Sequence, residues 1–341
     1  MSLFKRTYYR AASLVPIKLL TGFTQGDLLL PYHHLVSDEH ARHIEQIFPY
    51  KNRRQFIKDL DYLLTHFHPI DPMELLQVAA GGTTRKPRNF LLTFDDGLRE
   101  VYDVVAPILE EKGVPAIFFL NPAFLDNREL FYRNKISLIL DKLLSHPPGQ
   151  AVAGRIKEIL KLEAADAAAI PSAIRAIHYR NKELADRLGD CLELSFDDFL
   201  TKERPYLSSD QVKEMIGKGF RFGAHSMDHP NYKLLSPEEQ LSQTRQSCTF
   251  VKERFDLHYS FFSFPHEDAP VRQEFFDRLQ EDSSSAPELL FGTQNQRKEP
   301  KNRVFHRFNA ERPEYPIEGL IKGILLYNQQ KRLMGGQDVP R

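Results

Sequence analysis

A chain of 341 residues with 41% hydrophobic content can hold one large domain or two ordinary ones, and it can bury a sizeable core. Its 46 Lys and Arg balance its 46 Asp and Glu without a dense basic tract, which argues against nucleic acid as a partner. The two cysteines, Cys191 and Cys248, stand apart, a pattern of core thiols rather than of a zinc ribbon or a disulfide scaffold.

Lys5, Arg6 and Arg10 suggest the charged start of a signal peptide, but Pro16 and Lys18 interrupt the stretch from Ala11 to Phe23 and no small-residue cleavage site appears. No run of about 18 apolar residues is present to cross a bilayer. A cytoplasmic location is therefore expected, with residues 1–25 as a solvated arm and peripheral membrane contact through residues 4–10 as the alternative.

Asp27 to Pro31 reads as a first strand, ending in Tyr32-His33-His34. Asn52 with Gln55 three residues on marks a helix start, and Asp71-Pro72-Met73-Glu74 marks another, closed by Gly81 and Gly82. Phe90-Leu91-Leu92 is a buried strand that delivers Thr93-Phe94-Asp95-Asp96-Gly97 at its end. Neighbouring side chains there point different ways, so one carboxylate can bind a metal while the other takes a proton. Leu98 to Lys112 carries a helical pattern that stops at Gly113, and Val114 to Leu120 is the next apolar strand.

Alternating strands and helices of this kind imply an α/β layer or barrel. About 80 residues, 126–205, then show helical faces and no strand, and they read as an insertion that shapes access to the site. Removing that insertion is expected to change substrate preference more than metal binding. Barrel order returns with the Ser208 and Gln211 cap, and Phe220 to Ala224 is a strand followed by His225-Ser226-Met227-Asp228-His229. Two histidines four apart can converge on one cation. A cap at Ser236 to Glu239 precedes another helix, and Tyr259 to Phe264 is a strand ending in Pro265-His266-Glu267-Asp268. A helical pattern over 270–279, the run Leu289-Leu290-Phe291, the short strand Val304-Phe305 with His306-Arg307, and a helix over 317–327 complete the chain before a tail at 331–341 expected to be disordered.

Thr93-Phe94-Asp95-Asp96-Gly97 and His225-Ser226-Met227-Asp228-His229 resemble the first two signature motifs of the polysaccharide deacetylases, carbohydrate esterase family 4. Tyr32-His33-His34 and Phe264-Pro265 resemble the branch that deacetylates exopolysaccharides. The resemblance spans roughly residues 26–125 and 205–310. It implies a distorted (β/α) barrel of about seven strands over 26–330, with the helical insertion, and a divalent metal, usually zinc. Asp96, His225 and His229 would be the metal ligands and Asp95 the general base, with a backbone N–H such as that of His266 beside the oxyanion.

Three departures stand out. No Arg precedes Pro265, no tryptophan exists to line an acetyl pocket, and Val304-Phe305-His306 matches the family's late Leu-x-His only loosely. Arg307 is the expected substitute for the missing charge that steadies Asp95, and Arg307 and His266 are also placed on the substrate side. His33, His266 and His306 are candidate acids. The implied activity is removal of N-acetyl groups from an amino sugar in a glycan or a lipid-linked precursor. A carbohydrate-binding protein that has lost catalysis and a hydrolase of another small amide or ester are the alternatives.

Overall fold

Helical connections return the chain to the same end of a sheet, so consecutive strands run parallel. A computed structural model describes residues 3–17, 20, 28–79, 82, 88–162, 169–281, 286–297, 299 and 304–333. Its strands are β1 (Leu28–Leu29), β2 (Pro31–His33), β3 (His68–Pro69), β4 (Asn89–Phe90), β5 (Leu92–Phe94), β6 (Ala116–Leu120), β7 (Arg221–Ala224), β8 (Phe261–Ser263), β9 (Leu289–Gly292), β10 (Val304–His306) and β11 (Phe308–Asn309).

Eight of them form one parallel sheet in the order β10-β9-β8-β7-β6-β5-β2-β11. The two edge strands β10 and β11 are joined through Arg307 alone, so the sheet curls into a nearly closed barrel. The expectation was about seven strands; the eighth is β11, two residues long and too short to carry a periodic signal. A small sheet, β1-β4-β3, continues below β2 and β5.

Phenylalanine dominates the barrel core. Phe94, Phe118 and Phe222 stack across β5, β6 and β7 with ring centroids 5.1 and 5.4 Å apart. Outside the barrel, the helix Arg53–His66 is capped reciprocally by Asn52 and Gln55 and turns Phe56, Leu60 and Leu63 inward. Ser208 with Gln211 and Ser236 with Glu239 cap the helices Ser209–Gly217 and Pro237–Arg254 in the same way.

Three sequence expectations change. The pattern from Leu98 to Lys112 is interrupted by a π turn, Val101–Val105, before the α-helix Ala106–Glu111. Pro107 accounts for the change, since it has no N–H to continue the ladder. The amino-terminal arm is helical over Leu3–Ser13 and is laid against the helix Ile317–Leu333, with Tyr8 donating to the Gly323 carbonyl at 2.9 Å and Tyr9 packing on Tyr315. That last helix runs through Leu333, past the expected start of the tail. Asp27, Gly81 and residues 334–341 lie outside the described residues.

Between β6 and β7 the elements among the described residues are all helices, such as Tyr132–Ser145, Gln150–Leu160 and Glu183–Cys191, joined by turns and irregular loops. This segment has its own apolar core around Ile139, Ile156, Ile174 and Leu188. It is stitched to the barrel beside Gly97, whose carbonyl accepts from Leu207 N–H at 2.9 Å. Among the described residues no helix is long and apolar enough to cross a membrane.

Candidate active site

Parallel barrel strands deliver their following loops to one rim. Beyond β5 the backbone turns at Asp96 and Gly97, with φ of 71° and 63°. A Cβ on Gly97 would stand 2.8 Å from Leu120 Cδ2, so both the turn and the close approach ask for glycine. Ser226, His229 and His266 also have positive φ, at 64°, 59° and 57°. Left-handed conformations are uncommon for such residues, and their gathering at one rim marks a site held in shape by its surroundings.

Asp95 is buried, and its two oxygens accept from Arg307 Nη1 at 2.7 Å and Nη2 at 2.8 Å. Arg307 is itself fully buried between the rings of Tyr32 and Phe119, and it also donates to Thr93 Oγ1 at 3.0 Å. Burial alone would raise the Asp95 carboxyl, but the Arg307 guanidinium beside it outweighs burial and holds Asp95 below the usual carboxylate range. It is a carboxylate at any working pH.

Asp96 turns the other way, towards the two histidines. Its Oδ1 lies 3.2 Å from His229 Nε2 and 3.7 Å from His225 Nε2. His225 donates from Nδ1 to the Ser263 carbonyl at 2.8 Å, which leaves Nε2 as a lone pair facing Asp96. Burial lowers both imidazoles below their ordinary value, so they are neutral, the form a metal needs. Asp96 Oδ1 is a buried oxygen with no hydrogen-bond donor. One carboxylate oxygen and two imidazole nitrogens within 4.8 Å of one another, on three side chains drawn together at one rim, fit a divalent cation.

The rim encloses a cavity of about 290 Å³ into which Asp95, Asp96, His225, His229 and His266 all face. His266 stacks edge-on to His229 at 4.6 Å, and burial and then the Arg133 charge push it down to about 3, which makes it a neutral group and unsuited to donate a proton.

The other two candidate acids lie outside the cavity. His33 is turned to the far side of β2, between Phe56 and Phe94 at 5.4 and 5.6 Å, and burial followed by Lys51 lowers it well below the ordinary value. Its neighbour His34 takes the cavity side, because successive strand residues alternate faces. His306 is buried behind Gly292, where its Nε2 meets Glu299 at 2.9 Å and its Nδ1 receives Gln294 N–H at 3.3 Å. Both ring nitrogens of His306 are engaged in hydrogen bonds, and its cluster with Glu299 and Asp268 lies outside the lining of the cavity.

His34 and its partner Glu311 are the residues that sequence reasoning missed. The Glu311 carboxylate takes His34 Nδ1 at 2.7 Å and the backbone N–H groups of His34 and Leu35 at 3.0 and 3.1 Å. Burial pulls the His34 imidazole down, but Glu311, with smaller help from Asp96 and Asp95, carries it up to about 9. The signal was the strand parity of Tyr32-His33-His34, whereas Glu311 lies 277 residues away and leaves no local trace.

The insertion reaches the same rim. Phe131 packs on His229 at 4.7 Å, Tyr179 donates to Asp228 at 2.9 Å, and Lys182 pairs with Asp228 at 2.8 Å. These contacts set the insertion against the loop that carries His225 and His229.

Residues 82–274, more than half of the chain, match the family model for polysaccharide deacetylase. A comparison with curated protein sequences finds no match. Among solved structures, the Streptococcus pyogenes deacetylase PplD in complex with acetate is 13% identical, with a TM-score of 0.56 over 87% of this chain and 97% of that one. IcaB from Ammonifex degensii is 17% identical, with a TM-score of 0.54 over 88% and 98% of the two chains. A de-N-acetylase from Aggregatibacter actinomycetemcomitans is 15% identical, with a TM-score of 0.50 over 83% and 95%. At these identities the likeness is one of fold.

Proposed function

Since the chain belongs to the polysaccharide deacetylase family, we propose that it is a metal-dependent hydrolase that removes N-acetyl groups from an amino sugar in a glycan or a lipid-linked precursor. One observation carries this reading: a carboxylate base, a three-ligand cation set and a carboxylate-held imidazole all line one cavity. A binding protein has no evident need for both acids and the proton donor together.

Asp96, His225 and His229 would hold the cation, with zinc the expected ion and open positions left for water and substrate. Bound there, it supplies Lewis acidity, drawing electron density from an acetamido carbonyl and easing the deprotonation of water. Asp95 takes the proton of the attacking water as its oxygen adds to the carbonyl carbon. The Arg307 fork keeps Asp95 ionised and fixes its two oxygens in a plane, so the base is oriented before substrate arrives. His34 then gives its proton to the nitrogen as the C–N bond breaks, and Glu311 stabilises its charged form until that moment. Acetate and a free amine leave. The cavity, near the small end of the ~300–1,000 Å³ common for ligand clefts, suits one sugar ring at the reacting position.

The test is acetate release from N-acetylhexosamine glycans and lipid-linked sugars by metal-stripped protein, with and without zinc or cobalt, beside Asp95→Asn. Metal-dependent release that disappears in Asp95→Asn is the expected result. Tight metal binding without release from any substrate would overturn it and favour a carbohydrate-binding protein or another amide.

A further inference from the structure

Of the charged groups lining the cavity, four are answered by neighbours: Asp95 by Arg307, His34 and Glu311 by each other, and Asp96 by the cation set it completes. Arg133 is the fifth. It lines the same cavity, half-buried, and makes no ion pair among the described residues.

Asn134, the next residue, also lines the cavity and is only 2% exposed, yet its side-chain Nδ2 has no hydrogen-bond partner. A buried amide N–H without an acceptor is disfavoured unless something that enters the cavity supplies one. Both residues belong to the first turn of the 14-residue helix Tyr132–Ser145, whose amino terminus has no side-chain cap. A helix start presents N–H groups and the positive end of the macrodipole, and here it adds to the Arg133 charge. A guanidinium fork suits the paired oxygens of a carboxylate or a phosphate better than a hydroxyl.

We propose that the first turn of this helix is an anion subsite that selects acetamido sugars bearing a carboxylate or phosphate close to the reacting acetamide, with Arg133 binding the charge and Asn134 donating to one of its oxygens. The proposal rests on the deacetylase reading for the reaction but not for the binding. The insertion thereby supplies specificity directly, as well as walling the cavity.

The zinc-loaded protein would be assayed for acetate release with three substrates: a neutral N-acetylglucosamine oligomer, an N-acetylhexosaminuronic acid oligomer and N-acetylglucosamine 1-phosphate. Wild type is expected to favour at least one anionic substrate in kcat/KM, and which one identifies the source of the charge. Arg133→Gln and Asn134→Asp should each lower the anionic-to-neutral ratio at least tenfold, mainly through KM, and added salt should narrow the wild-type ratio. A preference for the neutral oligomer, or a ratio unchanged in folded Arg133→Gln, would overturn the subsite. Calorimetric binding of the two anionic sugars to Asp95→Asn, with and without Arg133→Gln, separates the two readings. Binding that depends on Arg133 without turnover of any substrate would sustain the subsite and refute the deacetylase, whereas turnover of neutral oligomers with Arg133-independent binding would refute the subsite alone.

Discussion

Replacing Arg307 with alanine removes the only cation in contact with the buried Asp95 carboxylate among the described residues. Both hydrogen bonds of the fork go at once, and burial, the largest influence on Asp95, is then left to raise its carboxyl rather than being outweighed. Breaking one side of a buried ion pair costs about 3–5 kcal/mol. For a chain of this size the loss should appear as a fall in Tm of roughly 4–7 °C at neutral pH. The sign of the pH dependence follows from the two states of Asp95. In wild type its folded pKa is depressed, so its contribution is present above the ordinary carboxylate pKa and lost as pH falls through the folded value. In the variant the shift is reversed, and protonation relieves the cost. The Tm difference between the two metal-stripped proteins should therefore be widest near pH 7 and shrink below about pH 4. In the zinc-loaded enzyme the acidic limb of kcat/KM should move upward. Unchanged activity with an unchanged pH profile, or a Tm difference independent of pH, would refute the idea that Arg307 keeps the base ionised.

His34→Gln should lower kcat by about 10²–10⁴ and abolish the alkaline fall in rate, because the wild-type imidazole keeps its proton up to about pH 9 and loses it above; survival of that limb would move the acid elsewhere. Asp96→Asn should weaken zinc by more than the ~10–100-fold typical of outer-layer partners, as read by chelator competition, and tight retention of zinc would remove Asp96 from the ligand set. Gly223→Ala should destabilise by about 1–3 kcal/mol in denaturant melts, since its Cβ would stand 2.7 Å from the Phe261 carbonyl oxygen, and a neutral effect would mean that β7 and β8 can part. Tyr179→Phe combined with Lys182→Met should raise the zinc dissociation constant with little change in Tm, because these side chains brace Asp228 within the histidine loop; zinc affinity equal to wild type would mean that the loop holds its shape without them.

What could be read in advance was whatever is local. Asn52 with Gln55, Ser208 with Gln211 and Ser236 with Glu239 cap helices within four residues, and each reads correctly in the chain. The polar residues at the ends of β5 and β7 were visible for the same reason, since a strand end and its next residues are contiguous. The misreadings have distinct physical sources. His33 and His34 differ only in strand parity, and which face is the cavity depends on partners that a single strand does not reveal. Glu311 is a long-range contact, 277 residues from His34, whereas Arg307, the expected partner of Asp95, meets it across 212 residues. The arm at Leu3–Ser13 is polar and aromatic, and only the groove along Ile317–Leu333, where Gly319 and Gly323 leave room beside Tyr9, gives it a place to lie.

The junction of β10 and β11 has a temporal meaning as well as a spatial one. Arg307 is the single residue between the two edge strands, so the step that seals the barrel is also the step that delivers the counter-charge to Asp95. A chain growing from its amino terminus makes Asp95, Asp96 and both histidines long before that residue emerges. Until then the buried carboxylate has no cation to hold it, and the site stays unarmed. On the proposed mechanism, assembly of the last strand pair and ionisation of the base are one event, which would tie the appearance of hydrolytic power to completion of the fold.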